Sequence, residues 1–94
     1  MHVVIRGRVQ GVGYRGWTEY EARQRGIAGW VRNRRDGSVE AMFAGTEADV
    51  LGMIEACRQG PPGARIEAID QRAGEAEDLA LRRGGDDFSV LATL

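Results

Sequence analysis

The chain has 94 residues, a formal net charge of −1, and 43% hydrophobic and 29% charged residues, which is enough for one domain, residues 1–94, with one modest core. No apolar run approaches a bilayer span, and Met1-His2-Val3-Val4-Ile5 leads into a strand rather than a signal peptide, so a cytoplasmic protein with no membrane partner is expected. A single cysteine excludes an internal disulfide, and with one histidine beside it a usual zinc site cannot be built, so no metal or other cofactor is expected. The charge is unevenly placed. Residues 1–35 carry eight Arg against two acids, and residues 36–94 carry five Arg against twelve acids, a balance of +6 and −7. The basic first third either steers an anion inward or is simply a solvated face.

In chain order, His2 to Val9 alternates partly, with Val3, Ile5 and Val9 apolar, and reads as a strand. His2, close to the terminus, reads as solvated. Gly7-Arg8-Val9-Gln10-Gly11-Val12-Gly13-Tyr14-Arg15 then joins that strand to a helix. Glycines there permit positive φ, and convergent N–H groups beside a helix N-terminus favour an anion, phosphate above all. Arg15 at the mouth of such a nest could grip two phosphate oxygens. Read alone, the stretch is equally a plain strand-to-helix turn.

Arg15 to Arg25 reads as a helix closed by Gly26, with acid-first pairs Glu19/Arg23 and Glu21/Arg25 and the stem of Arg25 covering the core edge. Ile27 to Arg34 and Ser38 to Ala44 read as a hairpin, since Asp36-Gly37 between such runs is a strong turn signal. Asn33 near the end of its first strand either faces the glycine loop or is a satisfied turn residue. Thr46, with Asp49 three residues on, opens a second helix whose apolar stripe is Val50, Ile54 and Cys57, with Leu51 and Met53 beside them. Gly60-Pro61-Pro62-Gly63 stops it. Ala64 to Arg72 reads as a fourth strand, 73–86 as a surface loop with a short extended piece at Leu79 to Leu81, and Phe88 to Leu94 as a final strand.

The order predicts an α+β, ferredoxin-like βαββαβ fold, an antiparallel sheet with two helices on one face. The fourth and final extended pieces either continue one another or lie at the sheet edge. Cys57 reads as a small buried hydrophobe, and Trp17, Tyr20 and Trp30 as packing residues.

The glycine stretch resembles the first signature of the acylphosphatase family: glycine, any residue, Val-Gln-Gly-Val, any residue, aromatic, arginine. Gly29-Trp30-Val31-Arg32-Asn33, Asp36-Gly37-Ser38-Val39 and Gly45 resemble its second. Weaker similarity runs through Cys57-Arg58-Gln59-Gly60-Pro61-Pro62 and Phe88-Ser89-Val90. The resemblance implies the same fold, with Arg15 and Asn33 as the functional pair. Tyr14 stands where phenylalanine is often found, which leaves a hydroxyl to accommodate.

Near the loop there is no serine beside a histidine, no usefully spaced carboxylate pair, and no cysteine or histidine in either motif, so neither a covalent nucleophile nor a general acid is visible. An acyl phosphate needs neither, because its carboxylate leaves unprotonated. The expected site is therefore Arg15 and the backbone N–H groups of Gln10, Gly11, Val12, Gly13 and Tyr14 on the phosphoryl group, with Asn33 orienting the attacking water. The expected partner is a small acyl phosphate acted on by a monomer. A nucleic-acid role is disfavoured, because Ser38-Val39-Glu40-Ala41-Met42-Phe43 offers one aromatic and an acid where RNA-binding sheets carry basic, aromatic-rich strands. The alternative is a non-catalytic phosphate-binding or regulatory domain of the same fold.

Overall fold

The computed structural model describes residues 1–82, 84–85 and 87–94. Its elements are β1 (His2–Arg8), α1 (Tyr14–Gln24), β2 (Ala28–Asn33), β3 (Val39–Ala44), α2 (Glu47–Cys57), β4 (Arg65–Arg72), α3 (Ala76–Leu79) and β5 (Phe88–Val90). The sheet order is β4-β1-β3-β2-β5. Three pairings are antiparallel, but β5 lies parallel to β2, with Val31 opposite Val90, so the sheet is mixed rather than antiparallel throughout. The four-strand ferredoxin-like core is as expected. The fourth and fifth strands occupy opposite edges, which rules out one continuing the other.

Alternation along the strands divides the interior into two faces. Val3, Ile5, Val31, Val39, Ala41 and Phe43 form one cluster with Tyr14 and Ala22 of α1 and Val50, Met53, Ile54 and Cys57 of α2, so both long helices cover the same face. The Thr46 hydroxyl accepts from the Asp49 N–H at 3.1 Å, which satisfies one of the otherwise unpaired donors at the start of α2. Cys57 is 1% exposed, and burial pushes its thiol up to about 12. Leu51 lies off the stripe and is exposed. The acid-first pairs of α1 form, Glu19 to Arg23 at 3.3 Å and Glu21 to Arg25 at 3.9 Å. Arg25 is exposed, with its guanidinium beside Gly52 of α2.

The opposite face is covered by the segment that the sequence reads as a surface loop. After β4, residues 73–82 cross beneath β3 and β2, placing Gly74 against Met42 and the Asp78 carbonyl within reach of the Trp30 indole N–H. Leu79 to Leu81 is not extended: Ala76 to Leu79 is a helical turn and residues 80 and 81 continue as a turn, the Asp78 carboxylate accepting from the Glu75 N–H at 2.9 Å while the Glu75 carbonyl accepts from the Asp78 N–H at 3.0 Å. The parts of that expected loop at 83 and 86 lie outside the described residues.

His2 is not solvated. It lies 7% exposed on this second face, its Nε2 2.7 Å from Glu40 Oε2, while Arg32 Nε donates to Glu40 Oε1 at 2.7 Å. Burial pushes the Glu40 carboxyl up, but the hydrogen bonds from Arg32 and His2 outweigh that and hold it below its ordinary value. A carboxylate depressed in the folded state contributes stability that is present above the unfolded value and lost as pH falls through the folded one. Urea midpoints measured from pH 6 down to pH 3 are therefore expected to fall below about pH 4.5, and less steeply in Glu40→Gln; equal slopes would remove Glu40 from the acid limb.

The expected final strand is shorter than read, ending at Val90, yet the chain stays beside β2: the Leu91 N–H donates to Val31 O at 2.9 Å and the Leu94 N–H to Asn33 O at 3.1 Å. Arg23 of α1 donates to Phe88 O at 2.8 Å and ties that edge to the helix layer.

Candidate active site

The loop from β1 to α1 spans Val9 to Gly13. Gly11 and Gly13 both adopt a φ of +77°, a conformation that side chains with a Cβ avoid. Gly13 is the residue capping α1, and the first turn of a helix leaves its N–H groups without intrahelical acceptors and carries partial positive charge. Gly7 serves a different purpose from the loop glycines. It sits at the irregularity in the β1–β4 pairing, where a Cβ would meet the Arg65 carbonyl.

A cavity of about 320 Å³ opens on this loop, lined by Val9, Gln10, Gly11, Gly13, Tyr14, Arg15, Gly16, Asn33 and Val90. The fold thus brings Arg15, at the start of α1, to the same cavity as Asn33, the last residue of β2. Both side chains are half-buried, accessible from the cavity while anchored on regular elements. Of the six residues 10–15, Val12 is the one absent from the lining; its side chain packs against the hydrophobic core instead.

Tyr14 is among the lining residues, and its ring packs into the core. The ring is 2% exposed, 5.3 Å from that of Trp17, and its hydroxyl donates to the Cys57 carbonyl at 2.7 Å at the end of α2. The extra hydroxyl is accommodated there, and burial pushes the phenol far above its ordinary range, so it remains a neutral donor.

Gln10 is half-buried, and its side-chain Nε2 donates to Arg34 O at 2.8 Å and Ser38 O at 2.9 Å. Those two residues close the hairpin after Asn33, the Arg34 N–H donating to Ser38 O at 2.9 Å. Within the turn, Asp36 Oδ1 accepts from the Ser38 hydroxyl at 2.5 Å and the Ser38 N–H at 2.9 Å. These bonds hold the Asp36 carboxyl below its usual value, so it stays ionised and keeps the turn closed. Asn33 pairs with Val39 across the hairpin, so its direction follows from that closure.

Sequence reasoning missed Val9, Gly16 and Val90 as lining residues. Val90 had a signal in Phe88-Ser89-Val90, but only the parallel pairing places it two residues' rise from Asn33 along β2. Among the described residues no three His, Cys, Asp or Glu side chains gather as metal ligands.

The acylphosphatase family model matches residues 1–90. An acylphosphatase of Bradyrhizobium diazoefficiens is 55% identical over 94 residues, covering 100% of this chain and 95% of its own length. Among solved structures, the acylphosphatase from Bacillus subtilis superposes with a TM-score of 0.79 at 35% identity, covering 96% of this chain and 94% of that one. Full-length HypF, in a phosphate- and nucleotide-bound form, gives a TM-score of 0.79 at 26% identity over 98% of this chain but 12% of its own, so the same fold also forms a small part of a much longer protein. With the family model matched across both loop and hairpin and a relative of this identity over its whole length, the chain belongs to the acylphosphatase family, and its activity is that of a hydrolase, acylphosphatase.

Proposed function

We propose that the chain hydrolyses small acyl phosphates to a carboxylate and inorganic phosphate without a metal ion, with Arg15 and the backbone N–H groups of residues 10–14 holding the phosphoryl oxygens and Asn33 placing the attacking water. The observation that carries this reading is the single cavity on which the glycine loop, Arg15 and Asn33 meet. The water oxygen attacks phosphorus, the bond from phosphorus to the acyl oxygen breaks, and the carboxylate leaves with the electron pair. A neutral amide cannot accept the water's proton. That proton passes to a phosphoryl oxygen of the substrate, and no side chain changes its charge.

The guanidinium fork and the N–H groups are donors fixed before the substrate arrives, so they stabilise charge on the transferring group without reorganising. Asn33 acts on the nucleophile alone. Replacing it by Ala is therefore expected to lower kcat for benzoyl phosphate by about 100-fold or more, the scale of a misplaced reactant, while inhibition by inorganic phosphate changes less than about twofold. An unchanged kcat would remove the water-placing role.

The reading also takes the enzyme as a cytoplasmic monomer. No helix among the described residues is long and apolar enough to cross a membrane.

A further inference from the structure

The glycine loop springs from the end of β1, whereas Asn33 ends β2, and β3 lies between those two strands. Two strand spacings, about 10 Å, therefore separate the two halves of the site. β1 and β2 are held in register only through β3, whose first residue, Val39, pairs with both Ile5 and Asn33; the phosphate loop beyond β1 and the hairpin neck beyond Asn33 extend past that pairing. The Gln10 side chain joins the two. Its amide has two N–H donors, and both are committed, one to Arg34 O just beyond β2 and one to Ser38 O just before β3.

We propose that the Gln10 side chain is a positioning residue, setting Asn33 at its working distance from the phosphate loop by clamping the neck of the β2–β3 hairpin; the proposal rests on the water-placing role given to Asn33 above. The backbone of Gln10 belongs to the phosphate loop, and both N–H donors of its side-chain amide are already engaged by the two carbonyls. The side chain therefore acts through the hairpin, and its loss displaces the water-holding group relative to the phosphoryl group. Binding of phosphate, made by the loop and Arg15, is left in place.

The test uses Gln10→Met, which keeps length and volume but donates nothing, and Gln10→Glu, which donates nothing as a carboxylate and one hydrogen bond as the acid. Expected for Gln10→Met is a fall in kcat of about 10- to 100-fold, with KM for benzoyl phosphate and inhibition by inorganic phosphate within about twofold of the parent. Gln10→Glu is expected to match it at pH 8 and to regain rate relative to the parent as pH is lowered to 5, a recovery absent from Gln10→Met. The proposal is overturned by an unchanged kcat in Gln10→Met, by KM and phosphate inhibition weakening in step with kcat, or by a constant ratio of Gln10→Glu to parent across that pH range. Asn33→Ala assayed alongside separates the two failures. If it is slow while Gln10→Met is normal, the clamp alone falls; if it is as fast as the parent, the role of Asn33 falls and the clamp with it.

Discussion

Replacing Arg15 by Gln is expected to lower kcat/KM for benzoyl phosphate by about 100- to 1000-fold, the range for losing one preorganised donor to a transition state, about 3 to 4 kcal/mol. Gln reaches less far, carries no charge and offers one pair of N–H groups in place of the guanidinium fork. In the proposed mechanism Arg15, unlike Asn33, holds the phosphoryl group in both ground and transition states, so phosphate inhibition is expected to weaken together with turnover. Arg15→Lys is expected to fall between parent and Gln, since it restores the charge without the planar fork. Steady-state kinetics with inorganic phosphate as inhibitor check both. A normal phosphate affinity in Arg15→Gln would move the binding role to the backbone N–H groups alone.

The largest expected effect on stability comes from Trp30→Ala, at about 3 to 5 kcal/mol. Trp30 is fully buried on the face away from the long helices, and three different interactions converge on it. The Arg32 guanidinium lies 4.9 Å above its ring, the His2 ring stands edge-on at 6.2 Å, and its indole N–H donates to the Asp78 carbonyl. Truncation empties the space beneath the 73–82 crossing and removes the ring against which His2 and Arg32, the two partners of Glu40, are packed. For a domain of this size each kcal/mol lowers Tm by about 4 to 8 °C, so thermal unfolding is expected at least about 12 °C below the parent. A shift of under about 4 °C would mean that the crossing segment contributes little to the fold.

That second face is also where the sequence was hardest to read. Asp36-Gly37, Thr46 and Gly60-Pro61-Pro62-Gly63 punctuate the first two-thirds of the chain, and each acts through a local geometry that its residue type dictates. Residues 73–86 have no such period. What makes that segment a cover is tertiary, a Trp30 indole and a Met42 side chain that it must meet. The acid spacing Glu75 to Asp78 was a legible sign of the helical turn, and it lies within a stretch whose charge reads first as solvated surface. His2 was misread because its partner, Glu40, is 38 residues away and becomes its neighbour only through the β1–β3 register.

The candidate site was more legible than the fold around it. Gln10 to Arg15 and Asn33 sit in two short motifs whose spacing is set by a turn and a strand end, and six of those seven line one cavity. Side-chain direction was not legible. Nothing in the order of residues says that the Val12 side chain turns into the core, that the Tyr14 hydroxyl reaches the end of α2, or that the Gln10 amide crosses to the hairpin neck.

The most direct test of the proposed chemistry is hydrolysis of benzoyl phosphate against glycerol 3-phosphate by the purified chain in excess EDTA. The first expels a carboxylate and the second an alkoxide that needs a proton, and among the described residues lining the cavity there is no carboxylic acid, histidine or cysteine to give one. Rapid release of benzoate and inorganic phosphate from the first, with no hydrolysis of the second above background, is the expected result. Folded protein that leaves benzoyl phosphate intact, or that needs an added divalent metal to cleave it, would contradict the mechanism; binding without any turnover would make the cavity a phosphate-binding site alone.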